Sequence, residues 1–389
     1  MLVLVLVVVG AFAFDFTNGF HDTANAVATS IATGAMKPRT AVLMSAALNF
    51  AGAFISISVA ATIAKGIVNP AVLAGGEGLV LVLAALIGAT LWNLITWYLT
   101  IPSSSSHALI GGVIGATLVA SGSGAVNVHK LLQSVIVPAV LSPFICGAVA
   151  LLGTIAAYRL IRMLRAGEAA KGYRLGQIGS ASLMSLAHGT NDAQKTMGVI
   201  SLALIAHGDI SAAHFYVPLW VKVGCALAIA LGTAAGGWRI INTMGNRLTE
   251  LESPQGFAAE STSAAVILAS SYYGYPLSTT QVVSGGVTGS GLGRRLASVH
   301  WEVVGEMVTA WIFTIPAAAL LAAAAWEISG VFSNSAAGSL VIALIATVGA
   351  MVLFRLAQRS NVGPDELDRT TVPPEGEAPQ LGHPATTLA

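Results

Sequence analysis

Apolar runs of helical length alternate along this chain with short polar breaks, and the breaks recur in one order in both halves. Residues 1–14 (MLVLVLVVVGAFAF) lead without a gap into DFTNGFHDTANAVATSIATG (15–34), which carries His21, Asp22 and Asn25. Apolar stretches follow at about 40–64 and 79–100, then PSSSSHALIGGVIGA (102–116), a proline and four serines ahead of a small-residue run. A long apolar run containing Pro143, 128–161, closes the half. The order returns as 178–206 with LAHGTNDAQKTMGVISLAL (186–204), then 216–242, 257–274, PLSTTQVVSGGVTGS (276–290) and 299–328 with Pro316. Asp22 and Asn25 recur as Asp192 and Lys195, a constant offset of 170 residues, and His21 as Asn191. Gly111-Gly112-Val113 recur as Gly285-Gly286-Val287, 174 residues on. The chain is a duplication.

Stretches of eighteen or more apolar residues predict membrane-spanning helices, and the alternating strands of a barrel are absent. Composition agrees: of 389 residues 55% are hydrophobic and 9% charged, against about 25% charged in soluble domains. The expected fold is an all-α integral membrane protein. It has two inverted repeats, broken helices, two re-entrant helical hairpins and about 10–12 transmembrane segments. Domain bounds are a first repeat at 1–158, a basic cytoplasmic linker at 159–177 and a second repeat at 178–335. An extra spanning helix at 336–358 and a disordered, Pro- and acid-rich tail at 359–389 complete the chain.

Arg159, Arg162, Arg165, Lys171 and Arg174 put the linker inside, because short Lys/Arg-rich loops stay cytoplasmic. Lys37, Arg39, Arg239 and Arg247 then fall inside as well, whereas Lys65, Arg294 and Arg295 fall outside. The N-terminus lacks the positive region of a signal peptide and reads as the outer half of a first helix, interrupted near Asn18-Gly19. Inverted repeats need an odd number of crossings before residue 177. With three full spans and a hairpin in the first half, 128–161 is expected to cross twice, folding near Ser142-Pro143; a single crossing would make the repeats parallel. Trp92, Trp97 and Tyr98 read as an interface belt, and Cys146 and Cys225 as core packing without metal-ligand spacing.

A carboxylate at membrane depth costs at least ~2.5–3.5 kcal/mol on insertion scales, so Asp22 and Asp192 are the first functional candidates. Each is expected early in a helix that starts after a glycine break, where freed backbone groups line a cavity. The hydroxyl turns come next. Ser104, Ser105 and Ser106 in one half and Ser278, Thr279, Thr280 and Gln281 in the other suit tips that meet around a tetrahedral oxyanion. Lys195, three residues after Asp192, can pair with it and fill a place that Asn25 leaves open to a mobile cation. His21, His107 and His188 flank these groups, and histidine is the residue type whose ordinary charge change falls near neutrality. No ATP-binding loop, zinc-protease motif or cofactor motif is present, so energy has to come from an ion gradient.

The paired signatures NGFHDTANAVAT and HGTNDAQK, with PSSSSHALIGG and PLSTTQVVSGG after them, resemble the inorganic phosphate transporter (Pit) family, most of all its bacterial low-affinity permeases. The resemblance runs from about 12 to 328. It implies duplicated, inverted halves and phosphate import by cation symport across the inner (plasma) membrane, with no enzymatic activity and no cofactor. It implies that Asp22, Asn25, Asn191 and Asp192 lie in the substrate and ion region, with the two hydroxyl turns facing phosphate. Two departures stand out: His21 in place of the first Asn, and Lys195 in place of the later Asn of the second copy. The loss of a neutral cation ligand at Lys195 favours a coupling proton carried by Asp22 or His21, with sodium coupling as the alternative. Expected partners are phosphate, free or as a divalent metal–phosphate complex, the coupling ion and the lipid bilayer. A homodimer is compatible, and nucleic acid is not expected. Rival readings are carriage of sulfate or another oxyanion and, from another class, a phosphatase using Ser103 and His107.

Overall fold

The computed structural model describes residues 1–68, 76–163, 166–294, 299–332, 335–357 and 363–371, and among these the regular structure is helical. The first repeat consists of α1 (Leu2–Ala32), α2 (Pro38–Gly52), α3 (Ser58–Gly66), α4 (Gly76–Tyr98), α5 (Ser105–Ser121), α6 (Val128–Leu131) and α7 (Val137–Ile161). The second consists of α8 (Ala166–His207), α9 (Leu219–Ala235), α10 (Trp238–Asn242), α11 (Ser253–Tyr272), α12 (Thr279–Gly293) and α13 (Trp301–Gly330). Two helices follow, α14 (Ser335–Ala357) and α15 (Pro364–Thr371). Five stretches are long and apolar enough to span a bilayer: α1, α4, the Val128–Ile161 rod, α13 and α14. The others are shorter, bent or too polar along their buried faces.

The inversion is legible in the core, which divides into two apolar clusters. Helix α1 gives Leu4, Val7, Ala11 and Phe14 to the first and Ala24, Val27 and Ile31 to the second. Helix α8 runs the other way, giving Met184 and Ala187 to the second cluster and Ala193, Met197 and Ile200 to the first. Between the clusters lies a layer of buried polar side chains that includes Asp15, Asn18, His21, Asp22, Asn191, Asp192 and Lys195.

Several expected breaks lie elsewhere. The signature helices are continuous through Asn18-Gly19 and Gly189. These glycines serve close packing instead: a Cβ at Gly19 would meet the Ile229 carbonyl, and one at Gly189 the Asn49 carbonyl. The broken helices are the partners, α2–α3, parted at 53–57, and α9–α10, bent by 63° at Gly236-Gly237. The 79–100 stretch, expected as a separate span, is long and apolar enough to be one, and as α4 it packs along α5 as the first arm of a helical hairpin. The 128–161 run does not fold back at Ser142-Pro143. It is one rod of 34 residues, α6 and α7 joined by a π-helical turn at Leu132–Ile136. With α4 and α5 counted together as one re-entrant hairpin, α1, α2–α3 and the rod leave the odd number of crossings that inversion needs.

Pro143 and Pro316 likewise sit inside continuous helices. Their neighbourhoods receive the small-residue faces of the hairpins, since a Cβ on Gly285 would strike the Pro143 carbonyl and one on Gly111 the Ile315 carbonyl. Each long helix therefore packs on the hairpin of the other repeat: α7 on α11–α12, and α13 on α4–α5. Trp92 belongs to this packing, whereas Trp97 lies between α1 and α14. Trp92 Nε1 donates to Thr314 Oγ1 at 3.1 Å, and Trp97 packs on Phe20 and Phe354. The linker is helical from Ala166 onward as part of the 42-residue α8. Of the tail expected to be disordered, α15 is ordered, with Leu367 buried and Arg39 paired to Asp365 at 3.2 Å. Residues 358–362 and 372–389, also assigned to the end of the extra helix and the tail, lie outside the described residues.

Candidate substrate and ion site

Both hairpin tips are built from the same local chemistry. The first arm ends in a residue with left-handed backbone, Thr100 (φ 61°) or Gly274 (φ 77°). A proline follows two residues later, Pro102 or Pro276, and then a serine that caps the second arm. Ser104 Oγ accepts from the His107 amide at 3.1 Å, and Ser278 Oγ from the Gln281 amide at 3.3 Å. These two serines, expected to face an anion, therefore also cap their own helices. Capping takes one amide and leaves those of Ser105, Ser106, Thr279 and Thr280 without an acceptor inside the helix.

The next two hydroxyls of each tip meet the signature helices in a matched pattern. Ser105 Oγ donates to Asp22 Oδ1 at 3.2 Å, and Thr279 Oγ1 to Asp192 Oδ2 at 3.3 Å. Asn25 Nδ2 donates to Thr280 Oγ1 at 3.0 Å and to Thr279 Oγ1 at 3.2 Å. Lys195 Nζ donates to Ser106 Oγ at 2.5 Å, the position equivalent to Thr280. Each aspartate thus holds the hairpin of its own repeat, and the residue one turn on crosses to the other hairpin. The two tips are joined directly as well, through Ser106 Oγ donating to the Leu277 carbonyl at 3.3 Å.

The twofold pattern breaks where the sequence does. Lys195 Nζ also bonds Asp192 Oδ1 at 2.5 Å and the Leu277 carbonyl at 2.8 Å, so the buried ammonium has three oxygen partners. Asp22 is paired instead with His21, Nδ1 to Oδ1 at 2.7 Å, while His21 Nε2 faces Thr96 Oγ1 at 3.2 Å. Asn191, the counterpart of His21, turns to α11, donating to Ser271 Oγ at 2.8 Å, and its Oδ1 has no partner among the described residues. Gln281 Nε2 stands 3.5 Å from His107 Nδ1, and Gln281 Oε1 is similarly unpartnered. All thirteen predicted site residues are buried, in one polar layer.

Three residues of this layer stood out weakly or not at all in the sequence. His188 Nε2 lies 3.3 Å from Asp192 Oδ2, within ion-pair reach but not aligned as a hydrogen bond, and its Nδ1 meets Asn49 Oδ1 at 3.1 Å. Asp22, His188 and Asp192 each offer a ligand atom within 4.8 Å of the others, a group that could hold a cation. The i,i+4 spacing of His188 and Asp192 announces only part of it, because Asp22 comes from the other half. Glu260 on α11 is fully buried and accepts hydrogen bonds from Thr29 and from Ser180, the latter at 2.6 Å. A glutamate as the one charged residue of α11 was the available signal. Ser103 Oγ bonds Thr96 Oγ1 at 2.7 Å and faces His21 Nε2 at 3.5 Å, so the Ser103–His107 pair considered for a phosphatase does not form.

Comparison with known proteins places this geometry among transporters. The model of the phosphate transporter family matches residues 18–171 and 162–322. A probable low-affinity inorganic phosphate transporter of Mycobacterium bovis is 56% identical over 323 residues, covering 83% of this chain and 76% of the relative. A protein of the same description from Bacillus subtilis is 43% identical, covering 84% of this chain and 97% of the relative. Among solved structures, one titled "The sodium-dependent phosphate transporter" superposes with a TM-score of 0.76 at 25% identity, over 85% of this chain and 100% of that one.

Proposed function

This chain belongs to the phosphate transporter family, and from that premise we propose that it imports inorganic phosphate by proton symport. It is a multi-pass phosphate transporter of the plasma membrane and not an enzyme. The coupling ion and the roles of individual residues are the proposal. Phosphate, free or as a neutral divalent metal complex, binds between the tips of α5 and α12. The free amides of Ser105, Ser106, Thr279 and Thr280 and their hydroxyls supply donors there, with Asn191 and Gln281 at the margin. Rocking of one bundle against the other alternates access.

The observation that carries proton coupling is Lys195. Its ammonium stands where the other repeat has the neutral Asn25, and it is fixed by Asp192, Ser106 and the Leu277 carbonyl. A permanent cation there takes the place that a mobile sodium ion would need. Two aspartates and one lysine leave one net negative charge, which a single proton on the His21–Asp22 pair balances. Sodium coupling is the second reading. It is supported by the cation-holding geometry of Asp22, His188 and Asp192 and by the printed title of the solved relative.

Radiolabelled phosphate uptake into proteoliposomes under separately imposed gradients distinguishes the two. Accumulation is expected with an inward proton gradient in the absence of sodium. Uptake that follows a sodium gradient and ignores pH would overturn proton symport. Competition by unlabelled sulfate that matched competition by phosphate would broaden the substrate class.

A further inference from the structure

Two turns before Asp22, on the same face of α1, lies Asp15. Seven residues separate the two, about 10 Å along the axis at 1.5 Å per residue. Asp15 is fully buried, and neither carboxylate oxygen has a hydrogen-bond partner among the described residues. The side chains of Thr196 on α8 and Asn18 on α1 interact with the carboxylate from just outside hydrogen-bond geometry. Thr196 Oγ1 and Asn18 Oδ1 are also buried and unpartnered. A fourth orphan joins them from α4. That helix runs beside α1 in the same direction, with Leu83 and Leu86 near Gly10 and Thr96 against His21. Asn93 therefore lies at the level of Asn18, and both its side-chain polar atoms lack partners.

Buried polar atoms are rarely left unpaired, and an isolated buried carboxylate is costlier still. Glu260 supplies the contrast within this molecule: equally buried, it is satisfied by Thr29 and Ser180. Around Asp15 the nearby charges are Asp192 and Lys195 on α8 and Asp22 on its own helix, and α9 contributes the thiol of Cys225. Beyond Glu77, at its start, α4 carries no charged residue. A carboxylate, an amide carbonyl and a hydroxyl left open together form an all-oxygen set suited to a proton or a small hard cation.

We propose that Asp15, with Asn18, Asn93 and Thr196, forms a second site for the coupling cation, on the N-terminal side of the Asp22–Asp192 centre. A cation bound there neutralises Asp15 and then passes to the His21–Asp22 pair through the polar layer. If the cation is a proton, an O–H bond forms on Asp15, breaks on transfer and re-forms on the pair. The proposal rests on the reading of the chain as a cation-coupled phosphate symporter, but not on which cation is coupled.

The test compares wild type, Asp15→Asn and Asp15→Glu in proteoliposomes. Uptake is driven by a proton gradient alone or by a sodium gradient alone, and phosphate–phosphate exchange is measured with neither. Asp15→Asn is expected to lower gradient-driven accumulation at least tenfold and exchange by less than threefold, with Asp15→Glu restoring most of the accumulation. The gradient whose effect is lost identifies the cation. Equal losses of accumulation and exchange in membrane-inserted Asp15→Asn, or accumulation at the wild-type level, would overturn the site. Wild type driven only by sodium would instead overturn proton symport, while a selective loss of that drive in Asp15→Asn would still support the site.

Discussion

Replacing Lys195 by Asn isolates the asymmetry between the two signature helices, because Asn already occupies the matching place at position 25. The substitution removes three hydrogen bonds from the ammonium, to Asp192 Oδ1, Ser106 Oγ and the Leu277 carbonyl. Breaking one partner out of a buried ion pair costs roughly 3–5 kcal/mol, mostly because the other charge is left uncompensated. Here Oδ2 of Asp192 keeps Thr279 at 3.3 Å and His188 at 3.3 Å, which places the cost at the lower end. About 3 kcal/mol corresponds to roughly a 150-fold loss, at 1.36 kcal/mol per decade. That factor is the expected loss in the folded-to-unfolded ratio, and sodium-free, proton-driven uptake by the folded variant should fall at least tenfold. The fall in uptake should be relieved at least tenfold when sodium occupies the vacated position. The assay is initial-rate phosphate uptake by purified Lys195→Asn in proteoliposomes, titrated with sodium at fixed pH. Sodium-free uptake at the wild-type rate would refute the argument, and so would a loss that sodium and other monovalent cations leave untouched in folded protein.

Asp22→Asn should abolish phosphate accumulation while the protein still reaches the membrane, and full uptake in that variant would remove Asp22 from the coupling step. Ser104→Ala and Ser278→Ala each delete a helix cap at a hairpin tip and should cost about 1 kcal/mol of stability; unchanged thermal unfolding of the detergent-purified variants would count against the capping role. Gly289→Leu drives a side chain into the Gly147 backbone, with an overpacking cost of about 1–3 kcal/mol or more. Fluorescence-detected size exclusion after heating should show the loss, and a wild-type profile would contradict the tight α7–α12 contact.

The duplication, the membrane class and the polar layer were legible because they are written as residue types at fixed offsets. Asp22, Asp192 and the hydroxyl turns needed no contacts to be noticed. What the chain hides is which glycine interrupts a helix and which admits a neighbour. Gly19 and Gly189 read as breaks because polar residues surround them, yet each lies in a continuous helix pressed against a carbonyl of a helix from the other repeat. Pro143 misled in the same way, since a long helix tolerates a proline when its surroundings hold it straight. The 79–100 stretch is long and apolar enough to span, and only its packing against α5 and α13 identifies it as a hairpin arm. His188 illustrates the other limit. Asp192 is its i+4 neighbour on α8, but Asp22 and Asn49 come from α1 and α2, so local spacing could not assemble the whole group.

The exchange of long helices between repeats changes what counts as a moving part. Because α7 seats the α11–α12 hairpin and α13 seats the α4–α5 hairpin, each cohesive body is a mosaic drawn from both ancestral copies. A hinge cut at the midpoint of the sequence would slice through both bodies, and neither half expressed alone would possess a seated tip. Two separately produced halves would have to entwine before either could close around an anion.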